Sequence, residues 1–247
     1  MTSLNTQTAP ATQREAARHE SQPELRHESH PESRHESKTK LLDAALFVIR
    51  AKGYSATRIE DICAAAGLTK GSFFHHFKSK EDLALAAAEH FHLGAEELFQ
   101  TARYRNLPDP QDRLLGYVDF RKAILQGDLP EFTCLFGTMI QEAYETHPRI
   151  REACDRYIAI HAHGLAADIA AAMVSHGLHP EWNAESLAFY TQAVIQGAFI
   201  LAKAQHNAAV AADCLDHLHR YLELLFRPAH STPAQDAPKI QPATQPA

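Results

Sequence analysis

Two short helical segments joined by a glycine-containing turn limit the fold of this chain more than any other sequence feature. Residues 57–77 read TRIEDICAAAGLTKGSFFHHF, with apolar residues at helical spacing on both sides of Ala66-Gly67-Leu68. Thr69 follows the turn, at the position where a side-chain oxygen can cap a new helix. Two helices joined in this way predict a helix-turn-helix, in which the first helix lies across the DNA backbone and the second enters the major groove.

Helical periodicity continues through the rest of the chain, with breaks at Gly or Pro and no convincing alternating strand. Ser37 is a candidate N-cap for the first helix, and Thr57 and Glu60 form a capping-box pattern at the second. The pattern predicts nine helices, at about residues 38–52, 57–65, 69–75, from 80 onward, 111–126, 131–146, 149–176, 181–205 and 209–226. The expected fold is all-α, with an N-terminal three-helix helix-turn-helix DNA-binding domain and a C-terminal helical ligand-binding and dimerisation domain.

The two ends of the chain differ in composition from this helical middle. Residues 1–36 are polar and repeat the segment RHES every eight residues, starting at Arg18, Arg26 and Arg34. Such a segment has too few apolar side chains to offset the entropy cost of ordering, although its histidines could alternatively bind metal. We therefore expect a disordered extension at 1–36, a helix-turn-helix DNA-binding domain at 37–84, an effector-binding and dimerisation domain at 85–227, and a disordered tail at 228–247.

Charge is distributed unevenly along the chain. The formal net charge is −6, but Lys38–Lys80 contains eight Lys or Arg residues and three acidic residues, a net charge of +5. Positive charge in the helix-turn-helix segment favours contact with DNA phosphates. The four cysteines form no CxxC pair and so indicate neither a disulfide framework nor a thiolate zinc site. No apolar run approaches the roughly 20 residues that cross a bilayer and no signal region is present, so we expect a cytoplasmic protein without a membrane partner.

The second helix of the motif has an inward and an outward face. Phe73 and Phe77 have the spacing and size of core residues. The outward side offers DNA a cation, a hydroxyl, two imidazoles and a close approach of the backbone. The residues on this side are Thr69, Lys70, Gly71, Ser72, His75 and His76. Lys80, at the start of the next helix, is a further candidate contact. The alternatives are that the lysines are ordinary solvated side chains, that a histidine only fills space between helices, and that His75, His76 and His90 bind zinc.

The N-terminal segment resembles the tetracycline-repressor (TetR) family. The matching positions are Leu41-Leu42, Ala44-Ala45, Phe47, Gly53-Tyr54, Thr57, Ile62, Gly67, Gly71, Phe77, Lys80 and Leu83. The resemblance implies a homodimer whose two recognition helices occupy successive major grooves of double-stranded operator DNA, with an effector bound downstream. By position it implies DNA contacts from Thr57, Lys70, Ser72, Phe74, His75, His76 and Lys80. Phe74 stands where the family usually has tyrosine, so the hydroxyl that would bond to a phosphate is missing.

The last two predicted helices suggest how the chain dimerises. Residues 181–205 are apolar on more than one side, and residues 209–226 repeat leucines at helical spacing. Pairing these helices with their copies would form an intersubunit four-helix bundle, which matches the dimer mode that the resemblance implies. The expected interface residues are Val194, Ala198, Leu201, Leu215, Leu218 and Leu222, with an intrachain core as the alternative.

The middle helices contain enough aromatic and polarizable side chains to surround an apolar cavity. Tyr117, Phe120, Phe136, Met139, Tyr157 and His161 are the candidate effector contacts, and the alternative is that they form plain core. Cys134 and Lys203 form a separate hypothesis, because this pairing resembles the electrophile-sensing N-ethylmaleimide-reductase repressor subgroup of the family. A cationic neighbour lowers the pKa of a thiol and favours the reactive thiolate, whereas the alternative is a buried inert cysteine.

These features predict a DNA-binding transcription regulator, a repressor released from its operator by a small molecule, electrophile or oxidant. No metal or cofactor is expected, and no catalytic motif stands out. A helical enzyme is the alternative from another class, suggested by the histidines and the carboxylates of the middle helices. A purely structural interaction module is a third, but it leaves the basic helix-turn-helix unexplained.

Overall fold

The computed structural model describes residues 31–227, and this part of the chain is all-α, as predicted. It contains ten α-helices and one 3-10 turn at Arg103–Asn106, without a β-strand in the described range. The helices are α1 (Pro31–Lys52), α2 (Ile59–Ala66), α3 (Lys70–His76), α4 (Lys80–Gln100), α5 (Pro110–Ala123), α6 (Leu129–Phe132), α7 (Leu135–Ala143), α8 (Pro148–Ser175), α9 (Ala184–Gln205) and α10 (Ala209–Leu225).

The first helix begins earlier than the sequence pattern predicts. Because α1 starts at Pro31, Ser37 lies inside the helix and does not cap it; its hydroxyl donates to the Arg34 carbonyl at 3.0 Å. The prediction of disorder is therefore wrong for residues 31–36, which include most of the third RHES repeat. The first two repeats and the expected tail at 228–247 lie outside the described residues.

The helix predicted at 131–146 is interrupted, which raises the number of helices from nine to ten. Thr133 has extended backbone angles (φ −78°, ψ 156°) between α6 and α7, and Cys134 is the N-cap of α7. The Arg50 guanidinium donates to the carbonyls of Glu131 and Thr133 at 3.1 and 3.2 Å. These carbonyls are thus satisfied by a side chain from α1, and no continuous helix is needed to pair them.

Two hydrophobic cores share the long helix α4. The first core joins α1, α2, α3 and the first half of α4 to α7 and the start of α8. The second joins the end of α4 to α5, α8, α9 and α10. The boundary expected between residues 84 and 85 therefore falls within a continuous helix, which links the helix-turn-helix directly to the second core.

Candidate DNA-binding surface and effector cavity

The turn between α2 and α3 depends on Gly67. Its φ of 64° lies in the left-handed region, where a side chain would be strained. The Thr69 hydroxyl then accepts from the Ser72 backbone N–H at 3.2 Å and caps α3. Phe73 and Phe77 are 0% and 4% exposed, so the predicted inward face of α3 is buried in the first core.

The outward face of α3 is accessible as predicted. Lys70 and Phe74 are both 57% exposed, Gly71 and His75 are exposed, and Ser72 is half-buried. The Lys70 ammonium pairs with the Glu60 carboxylate of α2, which lowers the pKa of that carboxyl. An exposed pair of this kind contributes little to stability, so Lys70 can exchange Glu60 for a phosphate at small cost.

Thr57 does not face outward, so its prediction as a DNA contact is wrong for the side chain. The residue is 1% exposed, and its hydroxyl donates to the Gly53 carbonyl at 2.6 Å. The predicted capping box is also displaced by one residue, because the Asp61 carboxylate accepts from the Arg58 N–H at 3.0 Å. Thr57 fixes the loop before α2 instead of contacting a partner.

Lys80 is engaged inside the protein and is not a free surface cation. Its ammonium donates to the carbonyls of Tyr54 and Thr57 at 3.0 Å each and to Ser55 at 3.4 Å. It also lies 4.4 Å from the centroid of the Tyr54 ring, in cation–π geometry. Burial lowers the pKa of Lys80, with the Glu142 carboxylate opposing that shift. Lys80 therefore ties the start of α4 to the loop before α2.

His76 connects the recognition helix to α1. Its Nε2 lies 2.7 Å from the Ser37 hydroxyl, and burial, followed by the nearby charges of His75, Arg34 and Lys38, lowers the pKa of its ring. Arg34 and Lys38 are exposed beside α3 and were not among the predicted DNA contacts. Arg34 was missed because the helix was predicted to begin only at Lys38. These two cations extend the basic surface beyond the predicted set.

The three histidines considered for zinc do not come together. His90 pairs with Asp43 at 2.7 Å, whereas His76 contacts Ser37. Within residues 31–227, no group of three or more His, Cys, Asp or Glu side chains is arranged to hold a metal ion.

A cavity of about 210 Å³ lies among α4, α5, α8 and α9. Five of the predicted effector residues line it, namely Cys134, Tyr117, Phe136, Tyr157 and His161. Met139 is fully buried in the first core, and Phe120 packs behind the cavity against the rings of Phe99 and Tyr104. Lys203 lies beside the cavity, where its ammonium donates to the Thr138 hydroxyl at 2.9 Å.

The polar groups of the cavity form a small network around Tyr117. The Tyr117 hydroxyl accepts from Gln192 Nε2 at 3.0 Å and lies 2.9 Å from His161 Nε2. Burial, followed by the charge of Arg121 and the neighbouring His92, lowers the pKa of His161 to about 3. The imidazole is therefore neutral at physiological pH, and the Tyr117 hydroxyl proton is free to donate to it.

Arg121 is a charged residue of the cavity wall that was not among the predicted effector contacts. It lies one helical turn after Tyr117 on α5, so the four-residue spacing placed it on the same face of the helix. The sequence alone did not predict this position, because a charged residue on an amphipathic helix usually faces water.

Cys134 lies at the meeting point of both cores and the cavity. The Thr138 hydroxyl, one turn further along α7, donates to the Cys134 carbonyl at 3.0 Å and accepts from the Lys203 ammonium. Thr138 therefore connects Cys134 to Lys203, the cation predicted to act with it. Burial and the charge of Arg50 lower the pKa of Lys203, whereas Cys134 and Glu142 oppose this. By contrast, Cys154 is fully buried and its thiol pKa is raised to about 12.

Two family models match successive parts of the chain. The model described as bacterial regulatory proteins, tetR family, matches residues 41–87, and the model described as the tetracyclin repressor-like C-terminal domain matches residues 110–218. The chain belongs to the TetR family. Both the helix-turn-helix unit and the cavity-containing unit thus fall within TetR-family models.

Two curated regulators show how far sequence similarity to the TetR-family chain extends. The HTH-type transcriptional regulator CymR of Pseudomonas putida is 31% identical over 121 residues, which is 48% of this chain and 56% of CymR. The HTH-type transcriptional repressor KstR2 of Rhodococcus jostii is 46% identical over 46 residues, 19% of this chain and 22% of KstR2. The chain thus matches from about a fifth to a little over half of the length of these relatives.

The reduced form of Escherichia coli NemR shares the TetR fold of this chain. The two align with a TM-score of 0.61 at 21% sequence identity, over 74% of this chain and 95% of NemR. At this identity the likeness shows the fold alone, and the Cys134 hypothesis depends on the environment of that residue in this chain.

The TetR-family chain exposes a different face of α9 and α10 from the predicted dimer interface. Val194 is half-buried and Leu201 is 45% exposed, as an interface requires. The prediction is wrong for four residues that are at most 2% exposed within one protomer, Ala198, Leu215, Leu218 and Leu222. The large apolar residues that α9 and α10 leave exposed are Phe189, Tyr190, Ile200, Leu201, Tyr221 and Leu224.

Two helices, α8 and α9, differ from the expectation that no apolar run approaches membrane-crossing length. The most apolar 18-residue windows of α8 and α9 have mean hydropathies of 1.4 and 1.2, sufficient to cross a membrane by length and composition alone. Only 22% and 44% of these windows are buried in one protomer. Core and interface helices of soluble proteins share this composition, so the finding is weak evidence for a membrane span.

Proposed function

We propose that this TetR-family chain is a cytoplasmic, homodimeric DNA-binding transcription repressor that leaves its operator when a small molecule occupies the cavity. The main observation behind this proposal is the path of α4. Its first turn holds the helix-turn-helix through Lys80, and its last turns line the cavity with Phe91, His92, Ala95, Glu96, Phe99 and Gln100. The repressor KstR2 is a relative, and family membership favours a regulator over the helical enzyme considered earlier.

The DNA-binding surface is the outward face of α3 together with the first described turns of α1. Lys70, Ser72, Phe74 and His75 supply a cation, a hydroxyl, a ring and an imidazole, while Gly71 lets the backbone approach closely. Arg34 and Lys38 add phosphate contacts beside the groove. Thr69 supports this surface by capping α3. His76 and Lys80 hold it in place through their contacts with Ser37 and with the loop before α2.

Dimerisation would place two such surfaces on one DNA duplex. The exposed apolar face of α9 and α10 can pack against its copy in a second protomer, with Val194 and Leu201 retained from the predicted interface. Recognition helices in successive major grooves require half-sites about one helical turn apart, roughly 34–36 Å.

Two sets of contacts connect the cavity to the DNA-binding unit. The α4 helix is one, and the α6–α7 segment is the other, because Arg50 donates to the Thr133 carbonyl at 3.2 Å and the Ser55 N–H donates to Glu142 at 2.7 Å. An effector that binds better to a dimer with mis-spaced recognition helices shifts the population toward that state. The affinity for DNA then falls without any change in the recognition surface itself.

The substitution Lys70→Ala tests the DNA contact. We expect about tenfold weaker binding to a fragment selected from random duplexes, because one phosphate contact is lost. The slope of log binding constant against log salt concentration should become smaller in magnitude by about one. Fluorescence anisotropy across a series of salt concentrations measures both quantities. Half-site spacing in the selected fragments reports the dimer geometry.

Lys122→Gln is the matched control, since it removes a cation that pairs with Asp216 far from α3. Its binding and salt dependence should equal those of the unsubstituted protein. If Lys70→Ala also behaves like the unsubstituted protein, or if the protein remains monomeric and ignores every duplex at low ionic strength, the proposal is wrong.

The position of Cys134 supports a second form of signal, an electrophile or oxidant. Cys134 lines the cavity and directly follows Thr133, whose carbonyl accepts from Arg50. A group added to its sulfur would enter the cavity and press on the segment that contacts α1. Two cations hold the backbone on either side of Cys134, because Lys203 donates to the Thr138 hydroxyl and Arg50 donates to the Thr133 carbonyl.

We expect N-ethylmaleimide to release the unsubstituted protein from DNA and to leave Cys134→Ser bound. Mass spectrometry of the alkylated protein and anisotropy with labelled DNA measure modification and release together. Cys214→Ser is the control, because it removes another half-buried thiol and should release normally. Equal release from Cys134→Ser would exclude the sensing role.

A further inference from the structure

The guanidinium of Arg121 lies among aromatic rings at the wall of the cavity. Its central carbon is 5.1 Å from the ring centroid of Phe99 and 5.8 Å from those of Tyr117 and Phe199. These rings belong to α4, α5 and α9, so the cation is held where three helices meet. The ring faces stabilise a cation but do not accept its N–H groups in the plane of the guanidinium.

Arg121 has no anionic partner among residues 31–227. No carboxylate of the described residues lies within ion-pair distance, and its buried Nε has no hydrogen-bond partner there. A buried donor without an acceptor is uncommon in folded proteins because leaving it unpaired is costly. An acceptor supplied by a ligand would remove that cost.

The other ionisable groups of the cavity do not compensate for this charge. Asp168 is paired with both Arg105 and Arg113, at 2.6 and 3.2 Å. His161 is neutral because its pKa is lowered to about 3. Glu96 is 45% exposed, accepts from Gln100 at 2.9 Å and lies 3.5 Å from His92 Nε2, so its carboxylate is engaged by neighbours other than Arg121. Arg121 is therefore the arginine of this apolar, aromatic wall that has no carboxylate partner among the described residues.

We propose that the effector is a small organic monocarboxylate, whose carboxylate pairs with Arg121 and whose apolar body lies against the rings of Phe99, Phe136 and Tyr157. This inference rests on the proposed function only in treating the cavity as the effector site. The planar guanidinium matches a carboxylate in shape and donates two parallel hydrogen bonds to it. A cavity of about 210 Å³ restricts the ligand to a compact molecule.

Calorimetric titration with benzoate, cyclohexanecarboxylate and their neutral amides, benzamide and cyclohexanecarboxamide, tests the charge requirement. Each acid and its amide have nearly the same shape, so a preference for the acid reports the cation. We expect Arg121→Gln to weaken acid binding about tenfold or more, because a charge-assisted hydrogen bond is lost, and to leave amide binding unchanged. Arg121→Lys should retain part of the preference.

Lys122→Gln is the matched control on the same helix, because it removes a neighbouring cation outside the cavity and should bind both acids normally. Equal affinity for acids and amides, or neither acid binding, overturns the inference, even if Arg121→Gln fails to fold. So does competition by inorganic phosphate as strong as that by benzoate, since this would indicate a general anion site.

Measurement of DNA binding on the same samples separates this inference from the proposed function. If the acids bind through Arg121 but no duplex binds, the repressor proposal fails and the carboxylate site stands. If DNA binds and is released by N-ethylmaleimide, but the acids bind no better than the amides, the carboxylate site fails and the repressor proposal stands.

Discussion

Replacement of Phe73 by alanine is expected to lower the free energy of unfolding by about 3–5 kcal/mol. Phe73 is 0% exposed and packs against the Phe77 ring at a centroid distance of 5.7 Å, so the substitution leaves a cavity in the first core. The α3 helix has only seven residues and depends on this packing, because isolated helices of that length are unstable in water. Urea denaturation followed by circular dichroism measures the loss.

The adjacent residue Phe74 provides the matched control. Its side chain is 57% exposed, so Phe74→Ala should change the free energy of unfolding by no more than about 0.5 kcal/mol. The same substitution should weaken DNA binding, because the ring would pack against the DNA backbone. A stability loss at Phe74 as large as at Phe73 would show that α3 is oriented differently from this structure.

The helical framework could be predicted from the sequence because its signals are local. Gly67 marks the turn, Thr69 and Ser79 cap the helices that follow them, and Pro110 and Pro148 begin later helices. Each of these signals acts over three or four residues. Periodicity of apolar residues then defines the helical face that is buried.

The errors arise where distant residues determine the local structure. The break at Thr133 depends on Arg50, 83 residues away in the chain. The inward face of α9 and α10 could not be predicted, because helices that are apolar on several sides contain no local signal for the side that meets the rest of the chain. Leu215 and Leu218 were therefore assigned to the interface although they are buried within the protomer.

The candidate DNA-binding surface and the cavity also contain some positions that local sequence signals predict and others that depend on distant residues. The outward face of α3 follows from helical spacing alone, so Lys70, Phe74 and His75 are exposed as predicted. Roles that depend on tertiary contacts were missed or misassigned. Arg121 acquires its place only when α4 and α9 bring Phe99 and Phe199 against it.

Lys80→Ala is expected to lower the free energy of unfolding by about 2–3 kcal/mol, since a charged donor to buried or half-buried carbonyls contributes roughly this much. The substitution leaves the carbonyls of Tyr54 and Thr57 without their 3.0 Å partner and removes the cation from the Tyr54 ring. The loop before α2 then loses its link to α4. DNA binding should weaken as well, because the helix-turn-helix is less firmly positioned.

Comparison with Lys70→Ala distinguishes this role from a direct phosphate contact. Lys70 is 57% exposed and pairs only with Glu60 among the described residues, so its removal should change unfolding by no more than about 0.5 kcal/mol. Both variants should bind DNA more weakly, but Lys80→Ala alone should also unfold at lower urea concentration. If Lys80→Ala kept full stability and lost only DNA affinity, the lysine would be a phosphate contact, and its bonds to Tyr54 and Thr57 would contribute little to the fold.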